Sequence, residues 1–413
     1  MALDKEYKRI KNCRICGSKD IVPLLFLGNQ PLANSFKKRI SDLERRYPLT
    51  LVFCPNCSLV QLKETLKKEI LFNNYVWVTG ISETTQKYAE TFYKRTIGLT
   101  KAKPEELIVE IASNDGTFLK PFVKGGYRVL GIEPAKNIAG LSKKSGIETL
   151  NRYWDHKMAG QIKSNYGEAK VVIARNVIPH VSDLTDVIRS IHRCLAKDGI
   201  GIIEFHYAGK ILQDLHYDSI YHEHLCYFSI KTMEYLLNKF NLFPFRIDLS
   251  PISGGSYVMY FSKNKRKKSL RYNQLVDKEK RLSVNKLKSW QNFADKCKKH
   301  RKESRKIIKA FRGKAIVGFG ASARSATYLN FCGFTNSDIR AIIDNNRLKQ
   351  GLYSPGSSIP ILSIEEGLRI KPDLLFILAW NFKDEIIADC QLNGYKRDYL
   401  IPFPKKPYLL KVN

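Results

Sequence analysis

Two C-x-x-C pairs near the start of the chain place the strongest constraint on its fold. Cys13 and Cys16 form the first pair, and Cys54 and Cys57 form the second. The two-residue spacing lets both sulfurs of a pair reach one ion, and two pairs complete a tetrahedron of thiolates. A redox-active C-x-x-C is disfavoured, because there are two pairs without a thioredoxin-like context. The pattern predicts a structural zinc ion that stabilises a small β-rich module over residues 1–70.

After a helical lead-in, in helical phase over residues 84–99, short apolar strands alternate with helices. Strands are predicted at residues 107–111, 128–133, 170–174 and 201–205, with a helix at 183–197 before the last of them. Short buried strands separated by helices are typical of a parallel, doubly wound sheet. We therefore expect a central Rossmann-like domain over residues 71–262.

The same alternation restarts near the C-terminus. Residues 265–312 are polar, rich in Lys and almost free of Gly and Pro, which predicts one long connecting helix. Later strands are predicted at residues 314–319, 339–344 and 373–378. The fold class is thus α/β: a zinc module, a central Rossmann-like domain and a second Rossmann-like domain over residues 263–413.

The chain carries a formal net charge of +31, from 70 Lys and Arg against 39 Asp and Glu. Such an excess can indicate nucleic acid, an anionic membrane surface or anionic small molecules. The densest basic runs, residues 263–271 and 296–309, lack the interleaved aromatic residues of a nucleic-acid stacking surface. Solvated helix faces are favoured, and no nucleic-acid or membrane partner is expected. With no apolar stretch of about 18 residues and no signal core, we expect a cytoplasmic protein. A monomer is compatible with the sequence.

The segment from Glu110 to Gly116 predicts a cofactor site. An acidic residue at a strand end, a turn of small residues and then a helix is the geometry that holds an adenosyl amino acid. The residues expected to bind S-adenosylmethionine here are Glu110, Ser113, Asn114, Asp115 and Gly116. The three-glycine turn of a nicotinamide-dependent dehydrogenase is missing. Capping of a helix that begins at Thr117 is the alternative role of this turn, and it is compatible with cofactor binding.

Three further strand ends are expected to face the same crevice, at the carboxyl edge of the sheet. Glu133 closes the second strand, where a carboxylate can accept both ribose hydroxyls. Asn151 follows the third strand and can meet the adenine. Asn176 and His180 follow the fourth strand.

The segment Tyr221-His222-Glu223-His224 concentrates two imidazoles, a carboxylate and a phenol in four residues. Such groups are costly to desolvate, so their density suggests proton chemistry or metal binding. A metal site fits poorly, because H-E-H lacks the one-turn spacing of H-E-x-x-H. A polar surface cluster is the remaining alternative, and we favour catalysis.

Taken together, these motifs resemble the sugar C-methyltransferases, which methylate C3 of nucleotide-linked 4-keto-6-deoxyhexoses in deoxysugar biosynthesis. The resemblance spans nearly the whole chain. It implies S-adenosylmethionine and structural zinc as cofactors, with the C-terminal domain helping to hold the nucleotide sugar. Its motifs, in chain order, are the two Cys pairs, Gly28-Asn29-Gln30-Pro31-Leu32-Ala33-Asn34, the Glu110–Gly116 turn, Arg175-Asn176 with His180, Asp218-Ser219-Ile220-Tyr221-His222-Glu223-His224, Gly254-Gly255-Ser256, residues 344–351, Pro355-Gly356 and Trp380-Asn381-Phe382.

The resemblance implies that Tyr75, Tyr221, Glu223 and His224 line the active site, with His224 as the favoured base. A C–H beside a ketone is a weak acid, so its removal needs a base and stabilisation of the enolate oxygen. The hypothesis is that His224 takes the C3 proton. Glu223 would orient His224 or a sugar hydroxyl, and Tyr75, Tyr221 or His180 would donate to the enolate oxygen.

Substrate-binding positions follow from the resemblance in the same way. They are Gly254, Gly255, Ser256, Gly320, Arg324, Asp344, Lys349, Trp380 and Asn381. Arg324 stands where family members often carry Lys. Tyr257-Val258 follows Ser256 where an Arg is often found. Both departures bear on sugar or phosphate recognition.

Two other function classes remain open at the level of the sequence. A nucleic-acid methyltransferase is suggested by the charge and the zinc module, but Asn176-Val177-Ile178-Pro179 matches neither of the elements expected after the fourth strand. A non-catalytic zinc adaptor is disfavoured, because Tyr221, Glu223 and His224 accompany an intact cofactor turn. The sequence does not indicate the nucleotide carrier or the sugar stereochemistry.

Overall fold

Two large, mainly parallel sheets with flanking helices, a four-stranded antiparallel sheet and a two-stranded antiparallel pair make up the described part of the protein. The structure is a computed structural model that describes residues 6–72, 78–81, 83–252 and 254–412.

The N-terminal module is a β-structure around the four cysteines. Strands β2, β3 and β4 pair antiparallel, and β1 pairs with β5. Strand β3 supplies part of the module's core, since Leu49, Leu51 and Phe53 are buried. The strands are β1 (Tyr7–Arg9), β2 (Val22–Pro31), β3 (Arg46–Phe53), β4 (Val60–Leu62) and β5 (Glu64–Leu66).

A helical connector leads into the central sheet. It comprises α1 (Lys68–Phe72), a 3-10 turn (Thr79–Ile81) and α2 (Glu83–Thr100). Helix α2 confirms the helical phase predicted over residues 84–99. Its Tyr88 and Phe92 pack edge-on against Phe118, with ring centroids 5.7 and 5.6 Å away, so the helix lies against the central domain.

The central sheet has seven strands in the order β12-β13-β10-β9-β6-β7-β8. The five strands from β10 to β8 run parallel, and β13 is antiparallel to both of its neighbours. The strand order reverses between β6 and β9, which is where open α/β sheets bind ligands. The elements are β6 (Leu107–Ile111), α3 (Lys120–Lys124), β7 (Arg128–Ile132), α4 (Lys136–Lys144), β8 (Thr149–Leu150), α5 (His156–Tyr166), β9 (Ala169–Arg175), a 3-10 turn (Ile178–His180), α6 (Leu184–Cys194), β10 (Leu195–His206), α7 (Ala208–Asp214), a 3-10 turn (Tyr217–Ser219), β11 (Cys226–Tyr227), α8 (Ile230–Asn238), β12 (Phe243–Ser250) and β13 (Ser256–Ser262).

The four strands predicted for this sheet are present as β6, β7, β9 and β10. Every residue of β6 is buried, as expected of a strand covered on both faces. The predicted helix start at Thr117 is wrong, because helix α3 begins at Lys120. Asp115 accepts hydrogen bonds from the backbone nitrogen and the hydroxyl of Thr117, at 3.3 and 2.7 Å, and this local bonding holds residues 117–119 in a turn.

The C-terminal sheet has six strands in the order β16-β15-β14-β17-β18-β19, all parallel except β19. The three predicted strands are β14, β15 and β17. The elements are α9 (Leu270–Arg281), α10 (Leu287–Ala310), β14 (Ile316–Phe319), α11 (Ala323–Cys332), β15 (Ala341–Ile343), β16 (Ile361–Leu362), α12 (Ile364–Arg369), β17 (Leu374–Ile377), a 3-10 turn (Trp380–Phe382), α13 (Lys383–Leu392), β18 (Tyr399–Ile401) and β19 (Tyr408–Leu410).

The prediction of one long connecting helix is wrong, since the chain breaks between α9 and α10. Ser283 has a left-handed backbone, with φ of 52°. The next residue, Val284, is 1% exposed, and its carbonyl accepts the indole N–H of Trp290 at 2.7 Å. Burial of Val284 in the core, and not a local Gly or Pro, stops the helix.

One hydrophobic core runs through all three regions and includes Leu51, Val109 and Phe376. The predicted α/β class, with a zinc module and two Rossmann-like sheets, is confirmed. The domain bounds 1–70, 71–262 and 263–413 stay predictions. None of the helices in the described part of the chain combines the length and apolar character needed to cross a membrane.

Candidate active site

The four cysteines of the two pairs converge on one point of the N-terminal module. Their Sγ atoms all lie within 4.8 Å of one another, and the Cys13–Cys57 and Cys16–Cys54 Sγ···Sγ distances are both 3.5 Å. Thiolates at about 2.3 Å from a tetrahedral zinc ion stand roughly 3.8 Å apart, whereas disulfide sulfurs are about 2 Å apart. The residues therefore fit a structural zinc ion.

The turn after β6 has a backbone that few side chains tolerate. Ala112, Asn114 and Gly116 have φ values of 52°, 52° and 77°. Left-handed residues at alternate positions turn backbone N–H groups toward one side, as in anion-binding nests. A Cβ on Gly116 would stand 2.7 Å from Cγ1 of Ile147, so only glycine fits there. The turn is thereby shaped for close approach of a ligand.

Two buried polar atoms of this turn have no hydrogen-bond partner among the described residues. They are Oε2 of Glu110 and Oγ of Ser113. An unsatisfied buried polar group costs about 1–3 kcal/mol, which a ligand can recover. Burial raises the pKa of Glu110 to about 8, and attraction to Arg175 only partly offsets that. Arg175 itself is committed to Glu204, 2.8 Å away, in a buried ion pair. The turn thus offers polar groups that the fold leaves unused, which fits a bound cofactor.

Glu133 lies at the neighbouring strand end, as predicted. Its two carboxylate oxygens accept the backbone N–H groups of Asn114, at 2.9 Å, and Ala135, at 2.8 Å. The amide of Asn151 donates to the carbonyls of Glu133 and Pro134, at 2.8 and 2.9 Å. Each Glu133 oxygen keeps a second lone pair for a hydroxyl group. Asn151 is brought to the same edge, where its amide nitrogen braces Glu133.

A segment that the sequence did not single out covers the turn. The backbone nitrogen of Thr79 donates to Oδ1 of Asn114 at 2.9 Å, and that of Gly80 donates to Oδ2 of Asp115 at 3.2 Å. A Cβ on Gly80 would stand 2.5 Å from Asp115, so its glycine is the signal that could have pointed to this contact. The predicted active-site residue Tyr75 lies outside the described residues.

The end of β9 connects the Glu110–Gly116 turn with the Tyr221–His224 segment. Asn176, with φ of 52°, donates its backbone N–H to the carbonyl of Glu204 at 2.8 Å. His180 follows on a 3-10 turn, and its ring packs edge-on against His224 at 4.8 Å. Burial lowers the pKa of His180 to about 4, so the ring is neutral near pH 7.

His224 is held between a backbone carbonyl and a phenol. Its Nδ1 lies 2.8 Å from the carbonyl of Ser219, and its Nε2 lies 2.8 Å from the hydroxyl of Tyr221. A carbonyl only accepts, so Nδ1 carries the proton and Nε2 receives the Tyr221 hydroxyl. Desolvation lowers the pKa of His224 well below its usual value. The imidazole is therefore neutral, with its lone pair on the tyrosine side.

One of the two roles predicted for Glu223 was to orient His224. In the structure the carbonyl of Ser219 orients His224 instead. The carboxyl of Glu223 is instead bonded by the amide nitrogen of Asn34, at 2.7 Å, from the N-terminal module. Burial raises the pKa of Glu223 to about 7, and the Asn34 bond counteracts that shift. The carboxyl can therefore be charged or neutral at physiological pH.

The N-terminal module holds the Tyr221–His224 segment in place from one side. Strand β11 pairs with β4, with Cys226 opposite Gln61 and Tyr227 opposite Val60. His222 turns away from the crevice and lies 3.2 Å from the carbonyl of Pro48. Strand β11, which follows this segment, is thus the fourth strand of the zinc module's sheet.

The C-terminal domain holds the other side of the Tyr221–His224 segment through Asp218. This buried carboxylate receives two bonds from Arg324, at 3.0 and 2.9 Å, and one from the indole of Trp380, at 2.8 Å. Two predicted substrate-binding residues are therefore engaged by Asp218. Phosphate binding by Arg324 stays a prediction, and in this arrangement it falls to Nη1.

The other predicted positions of the C-terminal domain surround the turn after β14. Asp344 accepts the backbone N–H of Ala321 at 2.8 Å, and Lys349 reaches both Asp344, at 3.2 Å, and the carbonyl of Ala321, at 2.8 Å. Gly320 has φ of 100°, and a Cβ there would collide with Ala379. Asn381 is exposed on the neighbouring 3-10 turn.

The glycine loop before β13 lies beside Arg324. A Cβ on Gly254 would stand 3.9 Å from Nη1 of Arg324, and one on Gly255 would stand 2.5 Å from Cγ of Lys210. Ser256 is buried at the start of β13. The structure thus brings the Gly254–Ser256 loop and Arg324 together.

Family comparisons divide the chain into three successive matches. The model described as "Putative zinc binding domain" matches residues 13–72. The one described as "Methyltransferase domain" matches residues 83–243. The one described as "C-methyltransferase C-terminal domain" matches residues 251–404.

Among solved structures, a magnesium protoporphyrin IX methyltransferase from Synechocystis is 11% identical and covers 43% of this chain and 79% of its own, with a TM-score of 0.32. An S-adenosylmethionine-dependent methyltransferase from Clostridium acetobutylicum is 9% identical and covers 43% of this chain and 91% of its own, with a TM-score of 0.34. These similarities in structure are weak.

A curated relative matches along nearly the whole chain. The C-methyltransferase NovU of Streptomyces niveus is 30% identical over 409 residues, which cover 96% of each chain. With the zinc module, the methyltransferase domain and the C-terminal domain all matched, S-adenosylmethionine and zinc are confirmed as the cofactors of this enzyme. The chain belongs to the sugar C-methyltransferase family.

Proposed function

We propose that this enzyme transfers a methyl group from S-adenosylmethionine to C3 of a nucleotide-linked 4-keto-6-deoxyhexose. The observation that carries the proposal is the placement of an imidazole with an oriented lone pair beside the cofactor crevice. Strand β9, which pairs with β6, leads to His180, and His180 contacts His224 at 4.8 Å. A methyl-transfer site beside a general base is what methylation of an activated carbon requires.

The reaction balances without any further reagent. S-adenosylmethionine supplies an electrophilic sulfonium methyl group. Nε2 of His224 takes the proton from C3, and the electron pair passes to the ketone as an enolate. When bound, S-adenosylmethionine would supply the methyl carbon for the new bond to C3, and the electron pair of the broken sulfur–methyl bond would leave with S-adenosylhomocysteine. The imidazolium then returns its proton to solvent.

The Tyr221 hydroxyl must change partners during this sequence. It donates to Nε2 of His224 at 2.8 Å, so the lone pair is blocked until the hydroxyl turns away. The ketone oxygen of the acceptor offers the alternative partner, and a donor there stabilises the enolate. Substrate binding would thus uncover the base and supply the oxyanion partner in one movement.

Glu223 has the second predicted role, that of binding a sugar hydroxyl. Its Oε1 is held by Asn34, which leaves Oε2 for the acceptor. A buried carboxyl whose pKa is raised to about 7 can accept from a hydroxyl or donate to one. Lys349 and Nη1 of Arg324 would meet the diphosphate. We place the reaction in the cytoplasm, because both small-molecule reactants are water-soluble.

Mass spectrometry of a substrate panel tests the proposal. Zinc-loaded enzyme and S-adenosylmethionine are incubated with 4-keto-6-deoxyhexoses linked to thymidine, guanosine and cytidine diphosphates. One member should gain a single methyl group. When that member carries deuterium at C3, the deuterium should be lost in the product. A methyl group on oxygen, or no methylation of any member while an RNA pool is methylated, would refute it.

A further inference from the structure

Two histidines and a serine form a polar cluster that the proposed chemistry does not use. His206 ends β10 and Ser256 begins β13, and the two stand directly opposite in the antiparallel pair. Opposed residues of such a pair point to the same face. The ring of His216 stacks on that of His206, with centroids 5.9 Å apart.

The polar atoms of this cluster lack partners among the described residues. Nε2 of His206, both ring nitrogens of His216 and Oγ of Ser256 are buried without a hydrogen bond. His216 and Ser256 are each 1% exposed. The nearest carboxylate, that of Asp214, lies 3.8 Å from His216, which is too far for a hydrogen bond. Four such atoms in one place are a large cost unless something satisfies them.

The cluster lies at the seam between the central and C-terminal domains, next to the reaction centre. The ring of Trp380 is 4.7 Å from that of His216. The carbonyl of His216 accepts the hydroxyl of Ser219 at 2.6 Å, and Ser219 in turn orients His224. The cluster is therefore linked to the proposed base through Ser219.

The chemistry of these atoms selects the kind of ligand. Burial lowers the pKa of His206 to about 3 and lowers that of His216 as well, so both rings are neutral. A neutral imidazole has one N–H donor and one acceptor nitrogen, and a serine hydroxyl both donates and accepts. Sugar hydroxyls match such a mixed set. Phosphate oxygens, which only accept, would leave the acceptor nitrogens unpaired.

We propose that His206, His216 and Ser256 bind the hydroxyl-bearing sugar ring of the acceptor and not its diphosphate. This inference rests on the proposed function. Because the four atoms are also closed to solvent, side chains around them, such as Trp380 against His216, have to move before a ligand can reach them.

Paired calorimetric titrations test the assignment. Full-length, zinc-loaded protein saturated with S-adenosylhomocysteine is titrated with thymidine, guanosine or cytidine diphosphate, each alone and carrying a 4-keto-6-deoxyhexose. His216→Phe and His206→Phe keep ring stacking but remove the nitrogens. Each should weaken the sugar-bearing ligand about tenfold and change the bare diphosphate by less than about twofold. His192→Phe, on α6, is the matched control and should change neither.

The outcomes separate the two levels of the proposal. If wild type prefers a sugar-bearing ligand and both variants keep that preference, the cluster assignment is wrong while the proposed function stands. Equal weakening of both members of a pair also refutes it, since the cluster would then meet the diphosphate. If wild type binds no sugar-bearing ligand, the proposed function itself fails. Should His216→Phe not bind S-adenosylhomocysteine, it is misfolded and His206→Phe decides.

Discussion

The central and C-terminal sheets share one structural arrangement, a glycine turn bonded to an acidic residue, but the surroundings of the two turns differ. In each sheet, the turn after the first strand contains a glycine at which a Cβ would clash with neighbouring atoms. These glycines are Gly116 and Gly320. In each, an acidic residue at the end of the second strand accepts a backbone N–H of that turn. Glu133 accepts from Asn114 at 2.9 Å, and Asp344 accepts from Ala321 at 2.8 Å.

The difference lies in what else fills the turn. In the C-terminal domain the ammonium of Lys349 bonds to Asp344 and to the carbonyl of Ala321. In the central domain Glu133 has no cationic partner among the described residues, and Glu110 and Ser113 leave polar atoms unpaired. The first turn is therefore suited to hydroxyl and ammonium groups of a ligand. The second presents a cation, which suits phosphate once Lys349 releases its own acceptors.

The largest expected effect is on the methyl-transfer rate, when the proposed base is removed and the cofactor turn is left intact. We expect His224→Asn to lower the methyl-transfer rate about 1,000-fold, because it removes the base while leaving the central turn intact. Affinity for S-adenosylhomocysteine should stay within about twofold in calorimetry. His192→Asn is the control for loss of a histidine elsewhere. Near-normal turnover of His224→Asn would show that another group takes the proton.

The comparison of the two turns predicts opposite ligand profiles for Glu133→Ala and Asp344→Ala. Hydrogen bonds to a charged group contribute about 1.5–3 kcal/mol, so Glu133→Ala should weaken S-adenosylhomocysteine binding roughly 100-fold. Asp344→Ala should change that affinity by less than about twofold. Similar losses in both variants would show that the two turns act on one ligand. Glu133→Gln, which keeps the side-chain volume, checks that the loss is not caused by a collapsed turn.

The sequence was sufficient for features that depend on residues close together in the chain. The cysteine spacing, the apolar strands and the glycine turns predicted the zinc module and both sheets, because each follows from local geometry. Contacts between distant segments were out of reach. Nothing near Asn34 points to Glu223, nothing near Asp218 points to Arg324, and burial of Val284 breaks a helix that local sequence favours. The roles of the site residues stay predictions for the same reason.

A smaller effect is expected from the cation of the second turn. Lys349→Met should weaken binding of the nucleoside diphosphate identified by the substrate panel about tenfold, and it should reduce the salt dependence of that binding. S-adenosylhomocysteine affinity should not change. Lys296→Met, at an exposed position on α10, is the control for loss of one positive charge. If both variants weaken nucleotide binding equally, the general charge of the protein and not Lys349 attracts the diphosphate.

The smallest effect should appear in the pH dependence of stability. Burial raises the pKa of Glu110 from an ordinary 4.5 to about 8. Between these values the folded protein holds a proton that the unfolded chain releases, so this group's contribution to stability is present below about pH 4.5 and is lost as the pH rises to 8. Glu110→Gln should therefore gain thermal stability relative to wild type between pH 5.5 and 8.5, on the order of 5 °C without cofactor. The exposed Glu105→Gln should show no such trend. A constant difference across the pH range would mean that Glu110 is already charged, with a partner in the turn, and that the two turns are more alike than their bonding indicates.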